Sequence, residues 1–334
     1  MASRERTLGT IGGGTGLALR VWLRGVVPVL ETPFDEEGRV DPVSFAGVVA
    51  SACNHGVRAV MFPGFASEHW KLSDEEKDGL VGLARRVTAE HGVRFIASVN
   101  DEATYLAARR AARYQALGAD ALNLLPPRVS KPSRDEALRH LESVAGAVPD
   151  LPLIVQYVPA EGGVRLEPEE FAALAASCAN VGAVKVEEQP AAPYVAALRA
   201  LALPLAALVG NGGTEMLAAL EAGAAGVQPG GGFIGVYTEI WRRWERGDSD
   251  EARELFLRLV PYLVRWINAG RLTAVGKVIA WRTGVLASPH CRQPTPALDG
   301  HNRSEIDRFI AEMAPYLDGA GVGSDNTEGG RGER

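Results

Sequence analysis

Short apolar runs recur along the chain, and longer stretches with helical periodicity separate them. A short run rich in Val, Ile and Leu and bounded by turn residues is typical of a strand that is buried on both faces. Eight such runs are VVPVL (26–30), VRAVMF (57–62), VRFIASV (93–99), ADALNLL (119–125), LPLIVQYV (151–158), VGAVKV (181–186), LPLAALV (203–209) and AAGVQ (224–228). They predict eight strands in series.

The intervening stretches carry helix start and stop signals. Ser73 stands three residues before Glu76, as in a capping box, and Pro168 opens an amphipathic stretch at a first-turn position. Strand and helix units that alternate predict a parallel sheet with right-handed crossovers. Eight of them predict the α/β fold class in the form of a (β/α)8 TIM barrel. A doubly wound open sheet is the alternative, but no GxGxxG turn follows the first run.

The pattern divides the chain into four parts. Residues 1–22 contain IGGGTG (11–16), which lacks the Lys-Ser/Thr pair and the preceding strand of a phosphate-binding loop, so we predict a flexible arm. The barrel is predicted over residues 23–246, and further helical stretches predict a C-terminal appendage over 247–317. Residues 318–334 are glycine-rich and polar, which predicts a disordered tail.

Composition excludes several classes of function. The net charge is −6, so no nucleic-acid or charged-membrane partner is expected, and no apolar run is long enough to span a bilayer. The three cysteines form no CxxC pair, which fits a reducing cytoplasm. The six histidines show no ligand spacing such as HExxH, and no metal site is predicted.

One charged residue interrupts an apolar run. Lys185 lies inside VGAVKV (181–186) and is one of only five lysines in the chain. Burial of an unpaired ammonium group is costly. The residue is therefore on an edge strand, or has a buried stem and a head that reaches water, or is an amine kept neutral to attack a carbonyl. Catalytic residues of a TIM barrel sit at the C-terminal ends of strands, and Lys185 lies near such an end. This position favours the amine nucleophile.

Five motifs of the chain are informative together with this lysine: VPVLETPFDEEGRVD (27–41), GFASEHWKLSDEE (64–76), KPSRDEALRHL (131–141), IVQYVP (154–159) and VGAVKVEE (181–188). Through them the sequence resembles the dihydrodipicolinate synthase and N-acetylneuraminate lyase family of class I aldolases and dehydratases over about residues 23–317. The resemblance implies that Lys185 forms a Schiff base with pyruvate or another 2-oxo acid. It also implies a lyase that needs no cofactor and that assembles as a homodimer or homotetramer.

The loop after the second strand departs from the family pattern. Gly-Thr-Thr-Gly-Glu in the family binds the keto-acid carboxylate, whereas this chain has Gly64, Phe65, Ala66, Ser67 and Glu68. Both threonines are absent. The first four residues remain candidates for substrate binding through backbone N–H groups and one hydroxyl, although the aromatic ring is also suited to packing in the barrel mouth.

This chain also lacks the tyrosines of the family's proton relay. Gln156 occupies the position of the relay tyrosine on the fifth strand, and Val129 replaces a second tyrosine. Tyr157 is one residue further on and would face the site only if a bulge exchanged the two faces. A glutamine orients water but does not ionise near neutral pH. Glu187 and Glu188 are either a base that faces the pocket or exposed acids at the start of a helix, which is the commoner arrangement.

The second substrate of the synthase meets an unfavourable charge here. Glu161 stands where the synthase has an arginine that binds the carboxylate of an anionic aldehyde, so lysine-biosynthetic synthase activity is not expected. Arg128 is either a replacement cation or a surface residue. Gly210 and Gln228, at the ends of the seventh and eighth runs, complete the predicted substrate-binding set; the glycine either admits a ligand or simply forms a turn.

Two functions of different classes follow from the residues. The first is a Schiff-base lyase, an aldolase or a dehydratase, with Lys185, Gln156 and Tyr157 as candidate catalytic residues. The second is a catalytically impaired paralogue that binds a keto acid or acts as an assembly partner, since the relay residues are missing. A lysine within an apolar strand favours the enzyme.

Overall fold

Eight parallel strands form a single sheet that curves into a barrel. The structure is a computed structural model and describes residues 15–201, 205–268 and 270–317. The strand order is β1-β8-β7-β6-β5-β4-β3-β2, and Val29 bridges both Met61 and Gly230, which joins the two ends of the sheet. The strands are β1 (Gly25–Val26), β2 (Ala59–Phe62), β3 (Arg94–Val99), β4 (Ala121–Leu124), β5 (Leu153–Tyr157), β6 (Val181–Val186), β7 (Ala206–Val209) and β8 (Gly226–Val227).

Helices cover the outside of this barrel. Ser73 and Glu76 form the predicted capping box at the start of one of them. The helices are α1 (Gly16–Trp22), α2 (Pro42–Asn54), α3 (Asp74–Glu90), α4 (Thr104–Ala116), α5 (Arg134–Ala147), α6 (Pro168–Ser177), α7 (Ala191–Ala200), α8 (Met216–Glu221), α9 (Ile234–Arg246), α10 (Ser249–Asn268), α11 (Leu272–Arg282) and α12 (Gly300–Met313). The last three form the predicted C-terminal appendage. In the part of the chain that is described, no helix is both long and apolar enough to cross a membrane.

The N-terminal end of the barrel is closed by α1. Leu19 and Leu23 are fully buried and belong to the same apolar cluster as the residues that fill the barrel interior. The N–H of Gly16 donates to the carbonyl of Ala179 at 3.0 Å. Residues 16–22, which the sequence predicts as part of a flexible arm, instead form α1, because Leu19 packs against the apolar residues inside the barrel. Residues 1–14 and the predicted tail, 318–334, lie outside the described part.

The barrel interior changes from apolar to polar towards its C-terminal end. Four inward residues of one layer, from β3 to β6, are Ile96, Ala121, Ile154 and Ala183. Strand side chains alternate between faces, so the residues two positions further on share the same interior. These are Ser98, Asn123, Gln156 and Lys185, and all four are buried. The fold thus places a polar layer at the end of the barrel where TIM-barrel enzymes carry their active sites.

Candidate active site

Lys185 and Glu187 form a buried ion pair at the end of β6. The Nζ of Lys185 lies 3.3 Å from Oε1 of Glu187, and the two side chains are only 5% and 8% exposed. A paired carboxylate offsets part of the cost of burying the ammonium group. The predicted position of Lys185 at the C-terminal end of the sixth strand is confirmed, and the structure adds a partner that can exchange a proton with it.

Glu187 is held in place by two further donors. The Nε2 of Gln156 donates to its Oε2 at 2.6 Å, and the backbone N–H of Asn211 donates to its Oε1 at 3.1 Å. A Cβ on Gly210 would stand 2.4 Å from the Cγ of Glu187. Gly210 therefore leaves room for this carboxylate, and its contact with substrate stays a prediction.

Gln156 lies directly opposite Lys185 in the β5–β6 register. Its Oε1 accepts from the Nδ2 of Asn123 at 2.8 Å, and the same nitrogen donates to the Oγ of Ser98 at 2.9 Å. Since the amide oxygen is used by Asn123, the amide nitrogen must face Glu187. A hydrogen-bonded chain thus crosses the barrel from β3 to the ion pair and fixes the direction of the carboxylate.

Tyr157 lies on the opposite face of β5. Its ring stacks on Tyr194 at 4.6 Å and meets Phe171 edge-on, and its hydroxyl donates to Oε2 of Glu188 at 3.0 Å. Strand alternation holds at this point, so the bulge that would have turned Tyr157 inwards does not occur there. Tyr157 therefore does not lie beside Lys185, as strand alternation predicts in the absence of a bulge, and this position does not support it as a catalytic residue. The two acidic residues after the lysine divide between the faces, with only Glu187 inside.

The loop after β2 is fixed by its own hydrogen bonds. Ser67 is fully buried; its Oγ donates to the carbonyl of Leu30 and accepts from the N–H of Gly64 at 2.9 Å. A Cβ on Gly64 would stand 2.6 Å from Cγ1 of Val29, so this position accommodates only glycine. The Ser67 hydroxyl, predicted to bind substrate, instead shapes the loop. Ala66 packs against the residues that fill the barrel.

A buried charge cluster anchors the end of this loop. The carboxylate of Glu68 pairs with Lys71 at 2.6 Å and with the fully buried Lys277 of α11. Glu31 lies nearby, and its Oε1 accepts from the N–H of Gly232 at 2.9 Å. Burial raises the pKa of the Glu31 carboxyl to about 7. The cluster ties the loop to the C-terminal helices.

Arg128 and Glu161 pair beside the barrel mouth. The Nη1 of Arg128 lies 3.2 Å from Oε2 of Glu161, and its guanidinium group is 4.9 Å from the ring centroid of Phe65. Phe65 thus packs on a cation, which agrees with the packing role considered for it. Gln228 is buried inside the barrel, where its Nε2 donates to the Sδ of Met61 at 3.2 Å and its Oε1 has no partner among the described residues.

Known proteins share this fold and about a quarter to a third of this sequence. A profile of the dihydrodipicolinate synthetase family matches residues 22–313. The chain is 30% identical over 306 residues to the L-2-keto-3-deoxyarabonate dehydratase of Azospirillum brasilense, covering 88% of this chain and 96% of that protein. It is 28% identical to the 4-hydroxy-tetrahydrodipicolinate synthase of Synechococcus sp. (strain WH7803), covering 87% and 95%.

Solved structures agree in fold. The dihydrodipicolinate synthase of Aquifex aeolicus superposes with a TM-score of 0.79 at 23% identity, covering 88% of this chain and 99% of that one. A putative dihydrodipicolinate synthetase from Pseudomonas aeruginosa gives 0.79 at 26% identity, covering 87% and 99%. The resemblance and the barrel fold deduced from the sequence are confirmed.

Proposed function

We propose a specific reaction for this chain, which belongs to the dihydrodipicolinate synthetase family and is a lyase of the class I, Schiff-base type. The reaction is the dehydration of a hydroxylated 2-oxo acid. The observation that carries the proposal is the carboxylate of Glu187 at 3.3 Å from the Nζ of Lys185, oriented by Gln156. This pair supplies both a nucleophile and a base without the tyrosines that the family uses.

The first step joins Lys185 to the substrate. Glu187 takes a proton from the ammonium group, and the free amine attacks the C2 carbonyl carbon. The carbonyl oxygen leaves as water and a protonated C=N bond remains. Because the carboxylate lies against the nitrogen, proton transfer requires no movement of either side chain.

The second step removes water from the substrate. The protonated C=N bond acidifies the C3 hydrogens, and Glu187 accepts one of these protons. The hydroxyl group on C4 then leaves, taking a proton from Glu187, and departs as water. Hydrolysis of the C=N bond releases the product and restores Lys185. Ser98, Asn123 and Gln156, which form the hydrogen-bonded chain that leads to this pair, do not ionise near neutral pH, so we assign the proton steps to Glu187.

The substrate carboxylate has a site in the loop after β2. The N–H groups of Gly64, Ser67 and Glu68 are used within the loop. The remaining N–H groups, those of Phe65 and Ala66, are the donors that we propose for the carboxylate. Lys185 already supplies the covalent bond, so the proposed chemistry requires no cofactor.

The choice of dehydration over condensation rests on charge and on the relatives. The dehydratase of A. brasilense is named for a hydroxylated 2-oxo acid and matches nearly the whole chain. Glu161 pairs with Arg128 at 3.2 Å, so this guanidinium group is not free to bind an anionic second substrate. Both points support an enzyme that acts on one molecule of a hydroxylated 2-oxo acid.

Location and assembly complete the proposal. Cys53, Cys178 and Cys291 are unpaired, which supports the cytoplasm as the compartment. Trp70 and Val129 are large apolar residues that are 60% and 81% exposed, which supports a homodimer or homotetramer. Light scattering of the purified protein measures the assembly directly, and a monomeric mass would contradict it.

The test of the reaction is loss of water from 4,5-dihydroxy-2-oxopentanoate, followed by mass spectrometry. Wild type is expected to convert it to a product one water lighter. Lys185→Ala should have no activity, whereas Lys131→Ala, at another lysine, is the matched control and should retain it. A wild-type protein that traps a keto acid but releases no dehydrated product would instead be the catalytically impaired paralogue.

A further inference from the structure

Glu31 lies directly behind the loop that we propose for the substrate carboxylate. The residues on either side of it both bind Ser67 of that loop: the carbonyl of Leu30 accepts from the Ser67 Oγ, and the Oγ1 of Thr32 donates to the Ser67 carbonyl at 2.6 Å. Glu31 itself is only 3% exposed. Water screens a buried charge poorly, so the charge of this carboxyl group contributes to the field at the loop.

The glycines of the loop after β8 make room for this carboxyl group. The N–H of Gly232 donates to Oε1 of Glu31 at 2.9 Å, and a Cβ on Gly231 would stand 2.8 Å from Oε2. The preceding residue, Gly230, faces the loop after β2, since a Cβ there would stand 3.7 Å from the Cβ of Ala66. Ala66 carries one of the two N–H groups that we propose for the substrate. One short backbone segment therefore separates the buried carboxyl group from the bound one.

The charges around Glu31 cancel when it is ionised. The ionisable groups that face it come from α2, the loop after β2, α11 and the segment after α11, and they are His55, Glu68, Lys71, Lys277, Cys291 and Arg292. Arg292 pairs with Glu76, and burial raises the pKa of the Cys291 thiol, which keeps it neutral. Glu68 pairs with both lysines. The two lysines and two glutamates thus carry no net charge, and one positive charge remains when Glu31 is protonated.

Glu31 changes its charge near neutral pH. Burial raises the pKa of its carboxyl to about 7. A cavity of about 30 Å³ lies against it between α2, α9 and α11, with room for about two water molecules. The carboxyl group therefore has space for water beside it, through which it can exchange a proton.

We infer that Glu31 sets the charge behind the loop after β2, so that the affinity of the enzyme for the carboxylate of its substrate falls as the pH rises. Protonated Glu31 leaves the cluster with one positive charge, which attracts the anion, and ionised Glu31 removes that charge. The inference rests on the proposed function and adds a pH-dependent positioning residue to the same site. Because Glu31 lies behind the loop, it should change substrate affinity rather than the chemical step.

Two ligands isolate the substrate carboxylate. Pyruvate carries it and methyl pyruvate, the uncharged ester, does not, while both present the same ketone to Lys185. The adduct at Lys185 is trapped with cyanoborohydride over a range of ligand concentrations at pH 6 and pH 8.5, and mass spectrometry gives the half-saturating concentration. The ratio of the pyruvate value to the methyl pyruvate value cancels the effect of pH on the amine itself.

In wild type this ratio should rise about fivefold from pH 6 to pH 8.5, as expected for one unscreened charge near the loop. In Glu31→Gln the amide keeps an acceptor for the N–H of Gly232 but stays neutral, so the ratio should remain at the wild-type value of pH 6. His55→Asn is the matched control, because it removes the other ionisable side chain that lines the cavity. It should keep the wild-type rise.

A rise that persists in Glu31→Gln, or that disappears in His55→Asn, would overturn the inference. The comparison of the two ligands in wild type covers the case in which Glu31→Gln fails to fold, because a ratio that does not change with pH would overturn the inference by itself. If wild type forms no adduct with pyruvate at Lys185, the proposed function fails and the inference fails with it. If it forms the adduct and the ratio is constant, only the inference fails.

Discussion

The carboxylate of Glu187 lies 3.3 Å from the Nζ of Lys185, and both side chains enter the barrel from the end of β6. An amine that must lose a proton before it attacks a carbonyl therefore has a base in contact with it. Gln156 donates to the other oxygen of the carboxylate and so directs the first oxygen at the amine. This arrangement carries the proposed chemistry.

Replacement of Glu187 tests its role as the base. Glu187→Gln keeps the shape but removes the ionisable group, so turnover should fall by about a hundredfold or more. Glu188→Gln is the matched control, because its carboxylate lies on the outer face with Tyr157 and Arg165. It should change turnover by less than about threefold. Equal losses in the two variants would contradict the assignment.

Gln156→Ala separates orientation from bond formation. The variant loses the donor to Glu187 but keeps Lys185, so turnover should fall by about tenfold or more while trapping of pyruvate at Lys185 persists. Single-turnover adduct formation and steady-state turnover are measured side by side. Unchanged turnover would show that Gln156 does not position the base.

Gly210→Ala should lower turnover because it displaces the carboxylate of Glu187. The added methyl group would stand 2.4 Å from the Glu187 Cγ, and this steric clash would move the carboxylate away from Lys185. We expect turnover to fall by about tenfold or more, since small misplacements of a reacting group are costly. Gly146→Ala in α5 is the control, because a Cβ there meets nothing within 4 Å. A Gly210→Ala enzyme with normal turnover would refute this role.

Glu31 should make stability depend on pH. Burial raises the pKa of its carboxyl from 4.5 to about 7 in the folded protein, so the folded state binds this proton more tightly than the unfolded state. The stabilisation is present at low pH and is lost as the pH rises through 7. The loss between pH 5 and pH 8 should be about 2 kcal/mol in the free energy of unfolding.

The comparison of wild type with Glu31→Gln isolates this contribution. The amide keeps an acceptor for the N–H of Gly232 but does not titrate, so the variant should gain stability relative to wild type as the pH rises. Burial lowers the pKa of His69 to about 4, which acts in the opposite direction as the pH falls, but it is common to both proteins and cancels. Urea unfolding at the two pH values measures the difference, and a constant difference would rule out the titration of Glu31.

Local patterns were sufficient to predict the barrel and the place of the lysine. Apolar runs and capping signals depend on neighbouring residues, and alternation along β5 correctly separates Gln156 from Tyr157. The same alternation continues from Lys185 to Glu187 and would have revealed the inward carboxylate. Glu188 lies on the outer face, but its side chain is only 15% exposed and pairs with Arg165, so the exposed-acid alternative does not describe it.

Other contacts join residues that are far apart in the chain. Glu68 and Lys277 are separated by 209 positions, and no local pattern pairs them. The pairing of Arg128 with Glu161 likewise depends on how two loops meet after β4 and β5. The helix α1 is not predicted because the glycine-rich segment before it favours a flexible arm, and only the folded structure shows that Leu19 and Leu23 fill the end of the barrel. These features follow from tertiary packing and require the folded structure.

The most direct test of the account is borohydride reduction in the presence of pyruvate or 4,5-dihydroxy-2-oxopentanoate, with peptide mapping by mass spectrometry. The account predicts one stable adduct per chain on Lys185, and no adduct in a folded Lys185→Ala variant. An adduct that persists in that variant, or that maps to Lys131 or Lys277, would contradict it.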